Sequence, residues 1–205
     1  MSDHRSPINR TSVSIAIVAL AAAVAACAKS DTPAVDTTTA AATAPAPDTS
    51  KPAVPAINDA QIAHIAVTAN AIDSTAGVLA KTKASSKAVK DFAQTMVSDH
   101  MGVNKQAVAL ATKLNVTPED NDVSKQLMAG ADQNMANLKG LSGAAFDKAY
   151  MDHEVAYHQA VLDALDQTLI PSAQNAELKD LLVKVRPAFV AHLDRAKIIQ
   201  ASLAK

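Results

Sequence analysis

The chain has 205 residues, of which 49% are hydrophobic and only 2% aromatic, and alanine is its main apolar residue. This composition favours helices, because a β-sandwich or β-barrel needs β-branched and aromatic runs that this sequence lacks. Nineteen basic and 20 acidic residues give a net charge of −1, and one cysteine is present, which excludes a basic nucleic-acid footprint, a disulfide scaffold and a cysteine-rich zinc site.

Residues 1–26 are predicted to be a lipoprotein signal peptide. Arg5 and Arg10 precede an uncharged, largely apolar stretch that is too short to favour a transmembrane helix. The stretch ends in Val24-Ala25-Ala26-Cys27, which resembles the bacterial lipobox, where small residues precede a cysteine that is lipidated and becomes the mature N-terminus. Cys27 is therefore the predicted lipid attachment site.

The residue after Cys27 indicates where the lipoprotein would go. An acidic residue there favours inner-membrane retention in the best-studied bacteria, whereas this chain has Ala28. We therefore expect an exported protein that is lipid-anchored to the outer membrane, with its domain in the periplasm. The alternatives are a buried core cysteine and ordinary signal cleavage near Ala26 or Ala28.

Residues 27–56 are expected to form the lipidated cysteine and a disordered tether rich in Pro, Thr and Ala. Five of the nine prolines lie here, and Val35 and Val54 are the only larger apolar residues. Such a segment cannot bury a core. As a flexible coil it would span about 30 Å, which is enough to hold a domain away from a membrane.

Residues 57–205 show helical periodicity and are predicted to form one helical domain. Asn58 and Gln61 form a capping box for a first helix, and Ser85 or Ser86 caps a second. Thr117-Pro118 is predicted to begin a shorter helix that ends near residue 138. The apolar seams of the two long helices are Ile62, Ile65, Ala69, Ile72, Ala76 and Leu79, and then Val89, Ala93, Met96, His100, Val103, Ala107, Leu110 and Leu114.

Two more long helices complete the domain. Ser142 caps the third, which ends at Ile170-Pro171, and the last begins near Gln174 and contains Pro187, which is expected to kink it. Four long helices and one short helix between helices 2 and 3 predict an all-α four-helix bundle. The later seams are Met151, Val155, His158, Leu162, Leu165 and Leu169, and then Leu178, Leu182, Val185, Phe189, His192, Ala196, Ile199 and Leu203.

Three histidines occupy apolar seam positions near the middle of their helices: His100, His158 and His192. Because mid-helix positions meet at the middle of a bundle in either helix direction, their imidazoles should lie at a similar depth. Glu154 lies four residues before His158 and so shares its face. Imidazoles with a carboxylate match the ligands of Zn, Fe, Cu or Mn.

Other polar and aromatic residues near these histidines are expected to support the ligands, to lie at the rim of the site or to pack in the core. Asp73 flanks the seam midway along the first helix, and Asp99 and Asp152 are candidates for hydrogen bonds to the ligands. His64 and His153 fall off the main seams and are expected at solvated or rim positions. The aromatic residues of the third long helix are expected in the core: Phe146, Tyr150 and Tyr157.

Established catalytic patterns are absent from the sequence. His153-Glu154 followed by His158 is not HExxH, since a spacing of five turns the two imidazoles about 140° apart. A ferritin-type di-iron centre needs Glu-x-x-His motifs that the chain lacks. GxSxG, P-loop and dinucleotide motifs are also missing. No catalytic residue is predicted, and an enzyme is the least supported class.

Three motifs occur in order along the domain: Asp91-Phe92-Ala93-Gln94 through Met96-Val97-Ser98-Asp99-His100, Gly143-Ala144-Ala145-Phe146-Asp147-Lys148-Ala149-Tyr150 leading to His158, and Arg186-Pro187 leading to His192-Leu193. Over residues 57–203 they resemble bacterial domain-of-unknown-function family 4142. The resemblance implies an exported, ferritin-like bundle without an established activity. It also implies an acidic residue in the first helix near Ala71 or Asp73, and Asp73 is the one available here.

Two functions remain open at this stage. In the first, an envelope lipoprotein binds a transition metal through His100, Glu154, His158 and His192. In the second, the bundle is a non-catalytic structural or interaction module of the envelope, and the histidines form a buried polar layer that sets the helix register. In both, the expected partner is the membrane, reached through the lipid on Cys27, and nucleic acid is not a partner.

Overall fold

The computed structural model describes residues 57–204, and these are helical apart from short connections. The predicted signal peptide and tether lie outside the described residues. The helices are α1 (Asp59–Lys83), α2 (Lys87–Lys113), α3 (Asp122–Gly140), α4 (Gly143–Ala164) and α5 (Ala176–Leu203). The predicted all-α fold, with a shorter helix between the second and third long helices, is confirmed for this part of the chain.

The four long helices pack as two hairpins. The main contacts are between α1 and α2 and between α4 and α5, while α2 with α5 and α1 with α4 join the hairpins, and α3 lies against α1 and α4. Two separate apolar clusters fill the bundle. One is built around Met96 and Tyr150, and the other around Ile62 and Leu182. The residues between these clusters along each long helix include buried polar ones.

The buried face of α1 differs from the predicted seam at two positions. Ile72 and Leu79 are only half-buried, whereas Asp73 and Ala80 point into the interior and are almost fully buried. The turn of α1 that was expected to bury Ile72 therefore presents a carboxylate to the core. A buried carboxylate must be paired with hydrogen-bond donors or cations, so its partners determine how this helix faces the bundle.

The close packing of α1 against α2 depends on Gly77. A Cβ atom at this position would lie 3.0 Å from the carbonyl oxygen of Ala93 and 3.0 Å from Cγ2 of Val97. Such a distance to a backbone oxygen is too short for an ordinary side-chain contact. Glycine at this position therefore lets the two helices approach closely.

The cap of α2 comes from another helix and not from its own serines. Ser86 is the N-cap residue, but its side chain makes no capping hydrogen bond. Instead the buried Asp147 carboxylate of α4 accepts hydrogen bonds from the backbone N–H groups of Ser85 (2.9 Å) and Ser86 (2.8 Å), and from the Ser85 hydroxyl. The position of the predicted cap is confirmed, whereas the carboxylate that accepts its hydrogen bonds was not anticipated.

Replacing Asp147 with alanine is expected to lower the free energy of unfolding by about 2 kcal/mol, because two backbone N–H donors at the start of α2 lose their acceptor. Urea denaturation of the full chain measures the change. Asp163→Ala is the matched control, since Asp163 lies on the same helix with an exposed side chain. Equal stability of the two variants would contradict this role.

The connection after α2 corrects the predicted start of α3. Asn115 has a positive φ of 53°, and the N–H groups of Asn115 and Val116 bond to Thr112 O and Ala111 O, which is a Schellman motif that ends α2. The short helix then begins at Asp122, with Asn121 as its N-cap, and not at Thr117-Pro118. Asn121 is the N-cap because it forms a full capping box with Ser124.

The last turns before α5 differ in kind from the prediction. Helical structure ends at Ser172, one residue beyond the predicted Ile170-Pro171, but α4 gives way at Leu165 to a π-helical segment, Leu165–Leu169, which is followed by a last turn, Ile170–Ser172. Pro171 has no N–H and its ring crowds the carbonyl four residues earlier, so a locally wider helix accommodates it. Asn175 then caps α5. Pro187 lies inside that helix, as predicted.

One described helix, α1, is long and apolar enough to cross a membrane by length and composition. Half of its most apolar window is buried inside the bundle. A core helix of a folded domain passes the same test, and α1 provides buried residues to both apolar clusters. We therefore interpret α1 as a core helix.

Candidate metal centre

Each of the four long helices contributes a polar side chain to one buried layer between the apolar clusters. α1 contributes Asp73, α2 His100, α4 Glu154 and His158, and α5 His192. Between 94% and 100% of the surface of each of these residues is buried. The prediction that the three histidines lie at one depth follows from their mid-helix positions, and the structure places them together.

The three imidazoles form a compact group. Their ring centroids are 5.6 Å apart for His100 and His158, 5.2 Å for His100 and His192, and 5.4 Å for His158 and His192. One nitrogen from each ring can be chosen so that the three atoms lie within 4.8 Å of one another. Phe189 of α5 packs on this group, with its ring centroid 5.1 Å from that of His100.

The tautomer of His100 follows from its hydrogen bond to Asn70. Nδ1 of His100 lies 2.8 Å from Oδ1 of Asn70, and the Asn70 amide nitrogen donates to Ala66 O at 2.7 Å. Because that bond identifies the amide nitrogen, the oxygen faces the imidazole, and Nδ1 must carry the proton. Nε2 of the neutral ring then has a free lone pair, directed into the buried layer.

The other two histidines are arranged in the same way. Nδ1 of His158 donates to the backbone oxygen of Glu154 at 3.0 Å, and Nε2 of His192 lies 3.0 Å from Oδ2 of Asp99. The remaining nitrogens, Nε2 of His158 and Nδ1 of His192, are buried and have no hydrogen-bond partner among residues 57–204. Metal-binding histidines characteristically have one N–H held by an acceptor and the other nitrogen free.

Asp73 lies directly against two of the free nitrogens. Its Oδ2 atom is 3.1 Å from Nε2 of His100 and 3.3 Å from Nε2 of His158. Both nitrogens and the carboxylate are acceptors when the imidazoles are neutral, so a cation or a proton must lie between them. Neighbouring ligands of a tetrahedral ion with bonds of about 2.05 Å are about 3.3 Å apart, which agrees with these distances.

Glu154 and Tyr150 extend the layer beyond the histidines. Oε2 of Glu154 is 3.4 Å from Nδ1 of His158, but neither its carboxylate oxygens nor the Tyr150 hydroxyl makes a hydrogen bond of good geometry with the described residues. Burial, and then the charge of Asp73, raise the pKa of Glu154 to about 7, although His158 partly opposes this shift. Burial also raises the pKa of Tyr150. Glu154 is therefore poised between its acid and carboxylate forms near neutral pH.

The pKa values of the other ionisable groups in the layer are shifted in different directions. Burial alone would raise the pKa of Asp73, but hydrogen bonding with His100 and the electrostatic influence of all three histidines lower it. Burial lowers the pKa of His192, whereas for His158 the hydrogen bond and charge of Glu154 and the charge of Asp73 outweigh burial and raise the pKa. His192 thus presents a neutral nitrogen more readily than His158 does.

The structure places only one of the two predicted supporting aspartates against a site histidine. Asp99 contacts a site histidine, as proposed from the sequence, but Asp152 does not, because its carboxylate is held by Lys148 and Gln200 at the side of α4. His64 is a rim residue whose Nδ1 lies 3.8 Å from Asp120. His153 stacks on Tyr157, with ring centroids 5.4 Å apart, outside the buried layer.

Two site residues were outside the ligand set drawn from the sequence. Asp73 was considered as a flanking position and as the acidic residue that the family resemblance implies, and Asn70 was not considered; both are buried and both contact His100. The available signal was their spacing: two polar residues three positions apart share one helix face, and here they interrupt an otherwise apolar segment. A polar pair on a core-facing surface indicates a partner on a neighbouring helix.

Fold and site together define a class, a helical bundle whose interior holds a histidine–carboxylate cluster. A family model described as "Domain of unknown function (DUF4142)" matches residues 38–199, which is most of the chain. The chain therefore belongs to this family, in agreement with the resemblance of its three motifs. No curated protein and no solved structure matches it.

Proposed function

We propose that this protein is an envelope lipoprotein whose bundle binds one transition metal ion through His100, His158, His192 and Asp73. One observation carries the proposal: each imidazole has one N–H fixed by an acceptor while its other nitrogen is buried and unpaired, and the three rings can each offer a nitrogen within 4.8 Å of the others. Three imidazoles and one carboxylate are a ligand set for Zn, Fe, Cu or Mn.

The unpaired atoms argue against a polar layer that satisfies itself. In such a layer nearly every buried polar atom has a hydrogen-bond partner, because each unpaired one costs about 1–3 kcal/mol. Within residues 57–204, the layer instead has unpaired atoms on six residues. These residues are Asp73, His100, Tyr150, Glu154, His158 and His192. A bound cation would satisfy several of these atoms at once.

Glu154 has a separate place in the proposed site. It forms a second possible ligand group with Asp73 and His158 and is completely buried. We assign it the part of a neighbouring carboxyl that balances the positive charge of the ion, in addition to fixing His158 through its backbone oxygen. The site thus combines ligands, their hydrogen-bond acceptors and a charge-balancing group, which supports holding or sensing a metal.

The envelope location rests on the N-terminal sequence. The basic residues, the short apolar stretch and the lipobox-like Val24-Ala25-Ala26-Cys27 support lipidation at Cys27. Ala28 favours the outer membrane. Metabolic labelling with a radioactive fatty acid tests this step: the label should be incorporated by the native chain and lost in Cys27→Ser.

Elemental analysis tests the metal proposal. The full chain, purified without a histidine tag and without chelators, is expected to contain about one equivalent of Zn, Fe, Cu or Mn per chain. His158→Ala and His192→Ala should reduce the metal content at least tenfold, whereas His64→Ala and His153→Ala should keep it. Metal-free wild type, even after growth with all four metals, would overturn the proposal, as would equal metal in all four variants.

A further inference from the structure

An apolar cavity of about 310 Å³ lies beside the histidine layer, enclosed by all five helices. It is about twice as large as an engineered 150 Å³ cavity that remains dry and binds benzene. Its inner end includes Asn70 and Phe189, both of which contact His100, and its outer end includes Ile57 before the start of α1. The cavity therefore connects the metal centre to one end of the bundle.

The cavity is elongated along the bundle. Its lining extends along α2 from Val103 to Leu114 and along α5 from Leu178 to Phe189. Each stretch is eleven helical steps, or about 16 Å, long. An extended hydrocarbon chain matches such an elongated cavity better than a compact ligand does.

The chemistry of the walls agrees with the shape. Five of the 28 lining residues are polar, and four of these already use their side chains. The Asp59 carboxylate accepts from N–H groups before α5, Asn175 caps α5, the Tyr157 hydroxyl donates to the α1 backbone, and Asn70 orients an imidazole. A ligand inside the cavity would meet almost only methyl and methylene groups.

The cavity also explains why the predicted seam of α2 is incompletely buried. Val103, Leu110 and Leu114 are seam residues, yet they are only half-buried because they border this empty space. Apolar side chains directed into a cavity lose the contacts that a filled core would provide. An apolar occupant would restore these contacts without requiring any new hydrogen bond.

We infer that this cavity binds one unbranched hydrocarbon chain, with the polar end of the amphiphile at the outer opening near Ile57. The binding energy comes from burial of methylene groups, each of which contributes about 0.8 kcal/mol. The inner end of the chain then contacts Phe189, which packs on His100. Occupancy of the cavity and the state of the histidine layer are thereby linked through Phe189 and Asn70, which contact both.

Titration of the full chain with ¹³C-carboxyl palmitate, below the concentration at which it forms micelles, tests the inference. We expect saturable binding of one equivalent. Ala107→Leu fills the cavity wall and should weaken binding at least tenfold, and Ala111→Leu is a second cavity variant should the first fail to fold. Ala109→Leu, on the exposed side of the same helix, should bind as wild type does.

Two results would overturn the inference: no saturable palmitate binding by folded wild type, or equal binding by the cavity variants and Ala109→Leu. Dimerisation that Ala107→Leu abolishes would assign the cavity to a second copy instead. A chain supplied by a free amphiphile is extractable with organic solvent, whereas one supplied by Cys27 stays attached to its peptide in mass spectra. Palmitate binding by His158→Leu separates this inference from the proposed metal site, because the cavity does not require that imidazole.

Discussion

Zinc is expected to raise the free energy of unfolding of the full chain by about 4 kcal/mol when free zinc exceeds the dissociation constant 1,000-fold. The gain arises because the folded bundle brings three imidazoles and a carboxylate together, whereas the unfolded chain presents them separately. Urea denaturation with and without zinc measures the gain. Manganese, iron(II) and copper(II) in parallel titrations identify which ion is bound most tightly.

A single substitution separates this expectation from a structural polar layer. His158→Leu keeps the core filled but takes a partner from the buried Asp73 carboxylate, so without metal it should be less stable than wild type whichever role the layer has. In the proposed site the same variant loses the zinc-dependent gain. His153→Leu is the matched control on α4, five residues away and outside the layer. Zinc stabilising His158→Leu and wild type equally would contradict the metal site.

The sequence predicts those features of the fold that depend on nearby residues. Asn58 caps α1 through Gln61, three positions away, and this capping box is correctly predicted. The cap of α2 is missed because its acceptor, Asp147, is 61 or 62 positions away in the chain. A capping rule considers one turn of helix, so a cap formed by another helix becomes visible only when the helices are packed.

In the candidate site, too, the sequence predicts what depends on nearby residues and misses what depends on the packing of other helices. Three histidines at seam positions are recognisable, because apolar periodicity predicts leucine at those positions. The rotation of α1 that buries Asp73 in place of Ile72 is set by its partners on α2 and α4. The apolar cavity cannot be predicted from the sequence either, since periodicity shows which residues face inward and not how far apart the facing helices lie.

The pH dependence of the metal-free protein is expected to reveal Glu154. Its pKa of about 7 in the folded chain lies above the ordinary value of 4.5, chiefly because the carboxylate is buried. Between these two pH values the folded chain holds a proton that the unfolded chain has released, so stability falls as pH rises. Below about pH 4.5 both states are protonated, and this loss is absent.

The expected loss attributable to Glu154 is roughly 3 kcal/mol between pH 4.5 and pH 8, because its pKa is about 7 in the folded chain and 4.5 in the unfolded chain. Urea denaturation of chelator-treated wild type and Glu154→Gln over this range measures it, because the neutral amide cannot lose a proton. Glu177→Gln, at a largely exposed position, is the control and should follow wild type. Parallel profiles for wild type and Glu154→Gln would show that the Glu154 carboxyl ionises as freely in the bundle as in the unfolded chain.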